Sequence, residues 1–337
     1  MLGMVIRSQG PIERHPLAGE TLPRPEPHAG EILVRVSACG LCRTDLHVIE
    51  GDLPLHRCPL VPGHQVVGRV ARAGPGTSRF RTGERVGIAW LRFTCGACPY
   101  CRRDAENLCA NARFTGWDAD GGFAEFAVVP EAFAYAIPDV FTDVEAAPLL
   151  CAGIIGYRAL KRSGVRPGER LALYGFGSSA HVTLQVARAW GCEVLVATRE
   201  SSHRELARSL GASWVGDLGT PLPAKANGAI LFAPAGELVP RALENLDHGG
   251  TLVLAGIYMT DVPPLPYESS LFHERTITSV TANTRADGEE LLREAARIPI
   301  RTRTTTFPLT DANVALQSIK QGTMPGSGVL VLEGDHE

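Results

Sequence analysis

Residues 151–280 carry the pattern that most restricts the fold, an alternation of short apolar strands with helical stretches. The predicted strands are Leu171–Tyr174, Val194–Ala197, Ala229–Phe232, Thr251–Ala255 and Ile277–Val280. Helical stretches such as 182–190 and 203–210 lie between them. Strands that recur with helices between them form a parallel sheet with both faces covered. The segment therefore predicts an α/β domain with a doubly wound parallel sheet.

The first of these strands leads into the turn Gly175-Phe176-Gly177-Ser178-Ser179-Ala180, which a helix follows. In such a turn Gly175 permits the tight bend, Gly177 lets the backbone approach a pyrophosphate, and Ala180 lets helix and strand pack closely. The helix N-terminus offers free N–H groups and partial positive charge to the anion. A strand-to-helix turn without ligand is the alternative. The surrounding strands and helix favour a Rossmann-type dinucleotide site.

Residues 1–150 differ from this segment, because they are rich in Gly, Pro and Cys and contain short strand-like runs such as 32–36 and 66–70. Short strands with frequent turns indicate a β-rich, barrel-like domain. The tail 281–337 returns to mixed patterning and ends in the strand-like run 328–332. The 337 residues exceed what one core usually supports. We therefore expect a β-rich domain from 1–150 and 281–337 and a dinucleotide domain from 151–280.

A metal-binding cluster is indicated by four closely spaced cysteines, Cys95, Cys98, Cys101 and Cys109. Thiolates at this spacing can surround one tetrahedral ion, which is typical of structural zinc. An iron–sulfur run of the ferredoxin kind ends in a closer cysteine followed by proline, where this chain has Ala110. Disulfides between residues so close in sequence are hard to form without strain. The cluster thus predicts a structural zinc site.

Candidates for a second group of metal ligands come from three distant segments, 39–47, 62–65 and 148–153, which contain cysteines and histidines. Taken singly, each has a simpler explanation, since a buried cysteine is often a small apolar residue and a lone histidine is usually structural. Together they supply two thiolates and one imidazole. Such a set leaves one zinc position open for water or substrate, as in catalytic zinc sites.

The order of these motifs resembles the zinc-dependent medium-chain alcohol dehydrogenases along nearly the whole chain. The matching runs are 40–47, 62–64, 86–91, the four-cysteine segment, 150–153 and the glycine turn. The resemblance implies a GroES-like catalytic domain, catalytic zinc at Cys42, His64 and Cys151, and hydride transfer between an alcohol and a nicotinamide cofactor. It also implies a second, structural zinc and a homodimer or homotetramer. Cys39 is no ligand in the family pattern.

By the same resemblance, Thr44 is the hydroxyl beside the substrate oxygen, and His47 passes its proton to solvent. Asp45 would orient His64, which fixes the tautomer of the imidazole and raises its basicity. Arg43 would meet the cofactor pyrophosphate. Trp90 and Trp117 would wall the alcohol pocket, although core filling is an equal alternative for a tryptophan.

One position departs from the family pattern, because Gln65 stands where a glutamate usually follows the zinc-binding histidine. A neutral amide coordinates weakly and brings no charge to the metal. The change affects the step in which the family's glutamate exchanges onto the metal. It leaves the three primary ligands in place.

The end of the second strand bears on the choice of cofactor. NAD(H)-binding chains usually carry an acidic residue roughly 20 positions beyond the glycine turn, whereas this chain has Thr198 and Arg199. An arginine fork suits a phosphate, and His203 or Arg204 can join it. Glu200 could still bind a ribose. We predict that NADP(H) is preferred over NAD(H).

Bulk properties exclude several classes of function. A net charge of −3 without a basic block argues against nucleic-acid binding. No apolar run reaches the roughly 18–20 residues of a membrane span, and residues 1–14 lack the apolar stretch of a signal peptide. Nine cysteines, several spaced for metal, indicate a cytoplasmic protein. We expect an enzyme acting on a small alcohol or aldehyde; a polyol or formaldehyde dehydrogenase, or a non-catalytic zinc-containing sensor, are the alternatives.

Overall fold

The chain divides into two compact units in a computed structural model that describes residues 1–298, 300–324 and 326–332. The β-rich unit comprises Met1–Cys151, Ala282–Ala296 and the stretch from Thr302 onward. The α/β unit comprises Ala152–Thr281 and Arg297–Arg301. Along the described ranges, no helix has both the length and the apolar character that crossing a bilayer requires.

Strands and helices are numbered here in chain order. The strands are β1 (Leu2–Ile6), β2 (Leu17–Thr21), β3 (Glu31–Gly40), β4 (Gln65–Ala73), β5 (Arg85–Ile88), β6 (Leu91–Phe93), β7 (Arg113–Phe114), β8 (Phe126–Pro130), β9 (Ala134–Ala136), β10 (Arg170–Tyr174), β11 (Glu193–Ala197), β12 (Trp214–Gly216), β13 (Ala226–Leu231), β14 (Leu246–Leu254), β15 (Thr276–Ser279), β16 (Thr304–Pro308) and β17 (Ser327–Val331). The α-helices are α1 (Arg43–Glu50), α2 (Asp143–Ala146), α3 (Ala152–Ser163), α4 (Ser178–Ala189), α5 (Ser201–Ser209), α6 (Val239–Glu244), α7 (Tyr267–Ser270), α8 (Arg285–Arg297) and α9 (Ala312–Gln321).

The α/β unit is built on a parallel sheet with the strand order β12-β11-β10-β13-β14-β15. This order confirms the predicted doubly wound sheet, because the connections reverse direction between β10 and β13. In such sheets ligands bind at the carboxyl ends of the strands beside the reversal. The glycine turn follows β10 at this point.

Two details of the sheet differ from the sequence prediction. Strand β12 was not expected, because Trp214–Gly216 is only three residues long and is only partly buried. Strand β14 begins at Leu246, earlier than the predicted Thr251. The early part contains Asp247 and His248, so it lacks the apolar run on which the prediction depended.

The central strands of the α/β unit are apolar on both faces because helices pack on each side of the sheet. Leu171, Leu173 and Val196 are buried on one face, and Ala172 and Leu231 are buried on the other. Helices α3 and α4 pack on each other as well as on the sheet. This rigid core holds the glycine turn in a fixed position.

The β-rich unit contains a sheet with the order β16-β17-β3-β4-β5-β9, and β8 also pairs with β3. Its core includes the buried residues Ile32, Val34, Val66, Ile88 and Leu330. The long antiparallel pair of β3 and β4 sets Gly40 opposite Gln65. The segment that follows β3 and the segment that precedes β4 therefore meet at the same end of the sheet.

Candidate metal centres and dinucleotide loop

Cys42 is the N-cap of α1, where its side chain and that of Asp45 satisfy exposed backbone N–H groups. The Thr44 N–H donates to Cys42 Sγ at 3.3 Å, and the Cys42 N–H donates to Asp45 Oδ2 at 2.9 Å. The partial positive charge at a helix N-terminus stabilises a thiolate. The start of α1 thus presents a sulfur suited to metal binding.

His64 lies at the entry to β4, directly after a glycine that no other residue could replace without strain. Gly63 has φ +94°, and a Cβ there would come within 2.3 Å of the Phe123 ring. His64 Nδ1 lies 3.0 Å from Asp45 Oδ1, and His64 Nε2 lies 3.3 Å from Cys42 Sγ. With Nδ1 held by the carboxylate, Nε2 is directed toward the sulfur, as two ligands of one metal ion require.

Cys151 is the third member of this group. It is the last residue of the first segment of the β-rich unit. It follows the 3-10 turn Ala147–Leu150, whose last residue packs over Gly87 of β5. The ligand atoms of Cys42, His64 and Cys151 lie within 4.8 Å of one another. Three segments that are distant in sequence thus converge on one point.

The electrostatics of this group suit a dication. A hydrogen bond from the Cys151 thiol, together with the charge of His64, lowers the pKa of Cys42 well below its usual value despite burial. The same hydrogen bond and burial raise the pKa of Cys151 well above its usual value. Burial alone would lower the pKa of His64, but the charges of Asp45 and Cys42 raise it to about 10. The buried anions therefore favour positive charge here, and a bound metal would deprotonate both thiols.

The four-cysteine segment forms a second candidate metal centre with tetrahedral dimensions. The Sγ–Sγ distances are 3.5 Å for Cys98–Cys101, 3.6 Å for Cys95–Cys109 and 4.0 Å for Cys95–Cys101. Four sulfurs at about 2.3 Å from one zinc ion are separated by roughly 3.8 Å. All of the chain's cysteines, each of which lies in a described range, are free thiols. The disulfide alternative is therefore not what the structure shows.

Backbone groups stabilise charge in the four-cysteine segment. Donation from the N–H groups of Ala97 and Cys98 lowers the pKa of Cys95 to about 6. Burial and hydrogen bonds to neighbouring sulfurs raise the pKa of Cys101 to about 11. Metal binding requires thiolates, so an ion would release the proton that Cys101 otherwise keeps. The donor set and the spacing both fit zinc.

The residues expected to handle the substrate proton lie on α1. Thr44 is buried beside Cys42, and His47 Nδ1 lies 2.7 Å from Asp52 Oδ2. Asp52 is not predictable from the sequence, because a loop carboxylate has no spacing signal that distinguishes it. Gln65 is buried, and its Nε2 has no hydrogen-bond partner among the residues that the structure describes. An amide in this position adds no charge to the metal centre.

Aromatic rings extend from His64 toward the surface. Trp90 meets His64 edge to face at 4.9 Å, and it stacks on Trp117 at 5.9 Å and on Phe114 at 5.0 Å. Both predicted pocket tryptophans therefore belong to one stack beside the candidate catalytic metal centre. Phe114 was not among the predicted pocket residues, although an aromatic residue three positions before Trp117 could have indicated that it joins the same stack.

The glycine turn has the conformation that its sequence predicts. Gly175 has φ +85°, and a Cβ there would lie 2.9 Å from the Ala233 nitrogen. Gly177 is the N-cap of α4, so the backbone N–H groups of the first turn begin at Ser178. A long helix with such an N-terminus suits an anion.

The strand end beyond the turn carries an arginine whose side chain is largely exposed. The Arg199 side chain is 76% exposed, and its ion-pair partner Glu200 lies 3.8 Å away. Arg204, by contrast, donates to the carbonyl oxygens of Thr198 and Arg199 and to Asp217 Oδ2. Thr198 is buried. Arg199 is therefore better placed than Arg204 to meet a ligand phosphate.

A buried histidine in α4 gives the α/β unit an expected acid sensitivity. Burial lowers the pKa of His181 from 6.5 to about 4. Unfolded chains then bind more protons than folded ones between these two pH values, so stability should fall as pH falls from about 6.5 to about 4. The free energy of unfolding that is lost between these two pH values is about 3 kcal/mol.

Urea unfolding of the wild type and of His181→Asn at several pH values checks this expectation. The variant should lose less stability in acid than the wild type. His248→Asn, which removes an exposed histidine of the same unit, should behave like the wild type. Identical acid dependence in the His181 variant and the wild type would show that His181 does not contribute.

Comparisons with known proteins match both halves of the chain. The alcohol dehydrogenase GroES-like domain matches residues 28–139, and the zinc-binding dehydrogenase family matches residues 180–297. A probable alcohol dehydrogenase of Mycobacterium tuberculosis is 52% identical, over 97% of this chain and 96% of its own length. An alcohol dehydrogenase of Geobacillus stearothermophilus is 37% identical, over 93% and 94%. A cobalt- and zinc-bound thermostable alcohol dehydrogenase from Pyrobaculum aerophilum superposes with a TM-score of 0.89 at 25% identity, over 98% and 99%.

Proposed function

Because the chain belongs to the zinc-dependent medium-chain alcohol dehydrogenase family, we propose that it oxidises alcohols and reduces aldehydes or ketones with a nicotinamide cofactor. The convergence of Cys42, His64 and Cys151 within 4.8 Å carries this proposal. Two thiolates and one imidazole leave a position for substrate, whereas a purely structural zinc site is closed by four protein ligands.

We assign the catalytic domain to residues 1–150 and 281–337 and the cofactor domain to residues 151–280, with the boundary residue Cys151 counted with the catalytic domain. Both candidate metal centres lie within the β-rich unit, and the glycine turn lies within the α/β unit. The division places metal chemistry and dinucleotide binding on separate cores. Thiolate ligands remain reduced in the cytoplasm, which is where we place the protein.

The protein's own residues would hold and orient the reacting groups. Zinc, when bound, supplies a Lewis acid for the substrate oxygen, and the nicotinamide exchanges hydride with the carbinol carbon. Asp45 keeps the proton of His64 on Nδ1, so that Nε2 is free to bind metal. The Thr44 hydroxyl would accept the alcohol proton as it releases its own proton to the relay. His47, held by Asp52 at 2.7 Å, would pass a proton from the relay to solvent.

The cofactor would lie with its pyrophosphate at the N-terminus of α4, against the backbone of the glycine turn 175–180. Arg43, which is exposed at the start of α1, is a further residue that we propose for cofactor binding. For the adenosine ribose we propose a 2′-phosphate held by Arg199, with Thr198 and His203 near it, so that NADP(H) is preferred. The exposed guanidinium of Arg199 supports this choice.

We also propose that the protein is a homo-oligomer joined through its cofactor domains. The α/β unit exposes large apolar side chains between β14 and β15, with Tyr258 62%, Tyr267 66% and Phe272 58% exposed. Strand β15 is at the end of the sheet, and its outer edge, which pairs with no strand in the described part of the chain, can receive a partner strand. A second copy of the chain would cover both features.

Steady-state kinetics with primary, secondary, aromatic and polyol substrates and with both cofactors test the proposed function. We expect alcohol-dependent cofactor reduction, with a higher kcat/KM for NADP+ than for NAD+. Arg199→Ala should lower kcat/KM for NADP+ about 10- to 100-fold, since a hydrogen bond to a charged group contributes about 1.5–3 kcal/mol. The value for NAD+ should change little.

Arg208→Ala, which removes another exposed arginine near the end of α5, is the matched control and should leave both values unchanged. Equal losses for both cofactors in Arg199→Ala, or a wild type that prefers NAD+, would contradict the cofactor proposal. Cofactor binding without turnover of any alcohol would contradict the enzymatic function itself.

A further inference from the structure

Two residues outside every sequence motif hold the outermost tryptophan of the aromatic stack. The His56 ring stacks on the Trp117 indole at 4.1 Å with an interplanar angle of 28°. His56 Nδ1 lies 2.6 Å from Asp118 Oδ1. The carboxylate therefore fixes the imidazole, and the imidazole covers one face of the indole.

Further hydrogen bonds fix the indole from its other sides. Trp117 Nε1–H donates to the Pro54 carbonyl at 2.8 Å. Asp118 Oδ2 accepts from the Phe114 N–H at 2.7 Å, and the Asp118 N–H donates to the Phe114 carbonyl at 2.9 Å. The turn that carries Trp117 is thereby tied to the loop that carries Pro54 and His56.

The position of this indole bears directly on the metal centre. Trp117 stacks nearly parallel to Trp90, with an angle of 11°, and Trp90 contacts the ring of His64. A shift of Trp117 would therefore move a wall beside the metal ligands. The wall is flat, and because the only N–H of the indole is bonded to Pro54, Trp117 offers no hydrogen bond to a substrate hydroxyl.

We propose that His56 and Asp118 are positioning residues that lock Trp117 as a wall of the substrate pocket and select alcohols with a flat apolar group, such as aromatic alcohols, over polyols. This inference rests on the proposed alcohol dehydrogenase function. Offset stacking on an indole favours a planar ring, whereas a polyol would lose hydrogen bonds with water against this surface.

Kinetics of His56→Ala with benzyl alcohol and ethanol test the proposal. An aromatic contact contributes about 0.5–1.5 kcal/mol, so KM for benzyl alcohol should rise about 2- to 10-fold. The kcat for benzyl alcohol and both constants for ethanol should stay within about twofold, because ethanol has no ring to stack on the indole. His56→Phe keeps a ring over Trp117 and should restore KM for benzyl alcohol. Arg57→Ala, at the adjacent residue, which pairs with Asp120, should behave like the wild type.

Acrylamide quenching of tryptophan fluorescence gives a readout that needs no turnover. His56→Ala should increase quenching, and the increase should vanish when Trp117→Phe is also present. Absence of any change in quenching would overturn the lock even in an active enzyme, and so would equal changes in KM for benzyl alcohol and ethanol. A protein that turns over no alcohol but shows the quenching change would contradict the proposed function and leave the lock in place.

Discussion

Replacing Cys151 by serine is expected to reduce turnover at least about 1000-fold while leaving the fold intact. Replacing a residue that only supports a metal ligand lowers metal affinity or activity about 10- to 100-fold. Replacing a ligand itself should lower activity further. A serine hydroxyl does not ionise near neutral pH, so it cannot replace the thiolate that zinc requires. The ligands lie at the end of a sheet that has an apolar core of its own, so we expect the fold to survive loss of the ion.

Elemental analysis and steady-state kinetics check this prediction together. The wild type should contain two zinc ions per chain and Cys151→Ser only one. Cys39→Ser is the matched control, because Cys39 lies three residues before Cys42, is buried and belongs to neither metal centre. It should keep both ions and most of the activity. Full turnover in Cys151→Ser, or equal zinc loss in both variants, would contradict the ligand assignment.

Replacing Cys98 by serine is expected to destabilise the protein by more than about 3 kcal/mol, because structural zinc contributes folding free energy. The segment around the four cysteines has little core of its own. Phe93, Tyr100 and Leu108 are all exposed large apolar residues of this segment. The metal must therefore supply much of the energy that orders it.

The same segment anchors a second part of the β-rich unit. The buried Glu106 carboxylate accepts hydrogen bonds from the backbone N–H and the guanidinium of Arg285, at the start of α8. The Thr94 hydroxyl also donates to it. Disorder in the four-cysteine segment would remove the partner of Arg285, so we expect the loss of stability to extend beyond the segment.

Urea unfolding with and without a chelator measures this effect. Cys98→Ser should lose the zinc ion of the four-cysteine segment. Slow removal of that ion by the chelator should therefore lower the stability of the wild type and have little effect on the variant. Cys58→Ser removes an exposed cysteine outside both centres and should match the wild type. A Cys98→Ser protein with wild-type stability and two bound ions would rule out a structural role for the cluster.

Local sequence was sufficient for the features in which neighbouring residues decide the geometry. The four cysteines lie within one short segment, so their spacing alone restricts them to a common ion. The glycine turn follows a buried strand and begins a helix, and the conformation at Gly175 depends on nearby backbone. The apolar strands of the parallel sheet were recognisable for the same reason, whereas the short, half-buried β12 was not.

The catalytic metal centre needed the tertiary structure. Cys42 and His64 meet because the β3–β4 register sets Gly40 opposite Gln65, and Cys151 joins them because the turn before it packs on β5. The sequence connected these residues only through a family resemblance.

The contacts around this centre involve loop residues whose sequence has no period. Asp52 pairs with His47 of α1 from a loop, and His56 and Asp118, which hold Trp117, both lie in loops. Spacing along the chain determined the zinc segment, the dinucleotide turn and the alternation of apolar strands with helices, because those depend on nearby residues. Strand register and loop packing decided which distant side chains share a site, because these depend on contacts across the whole unit.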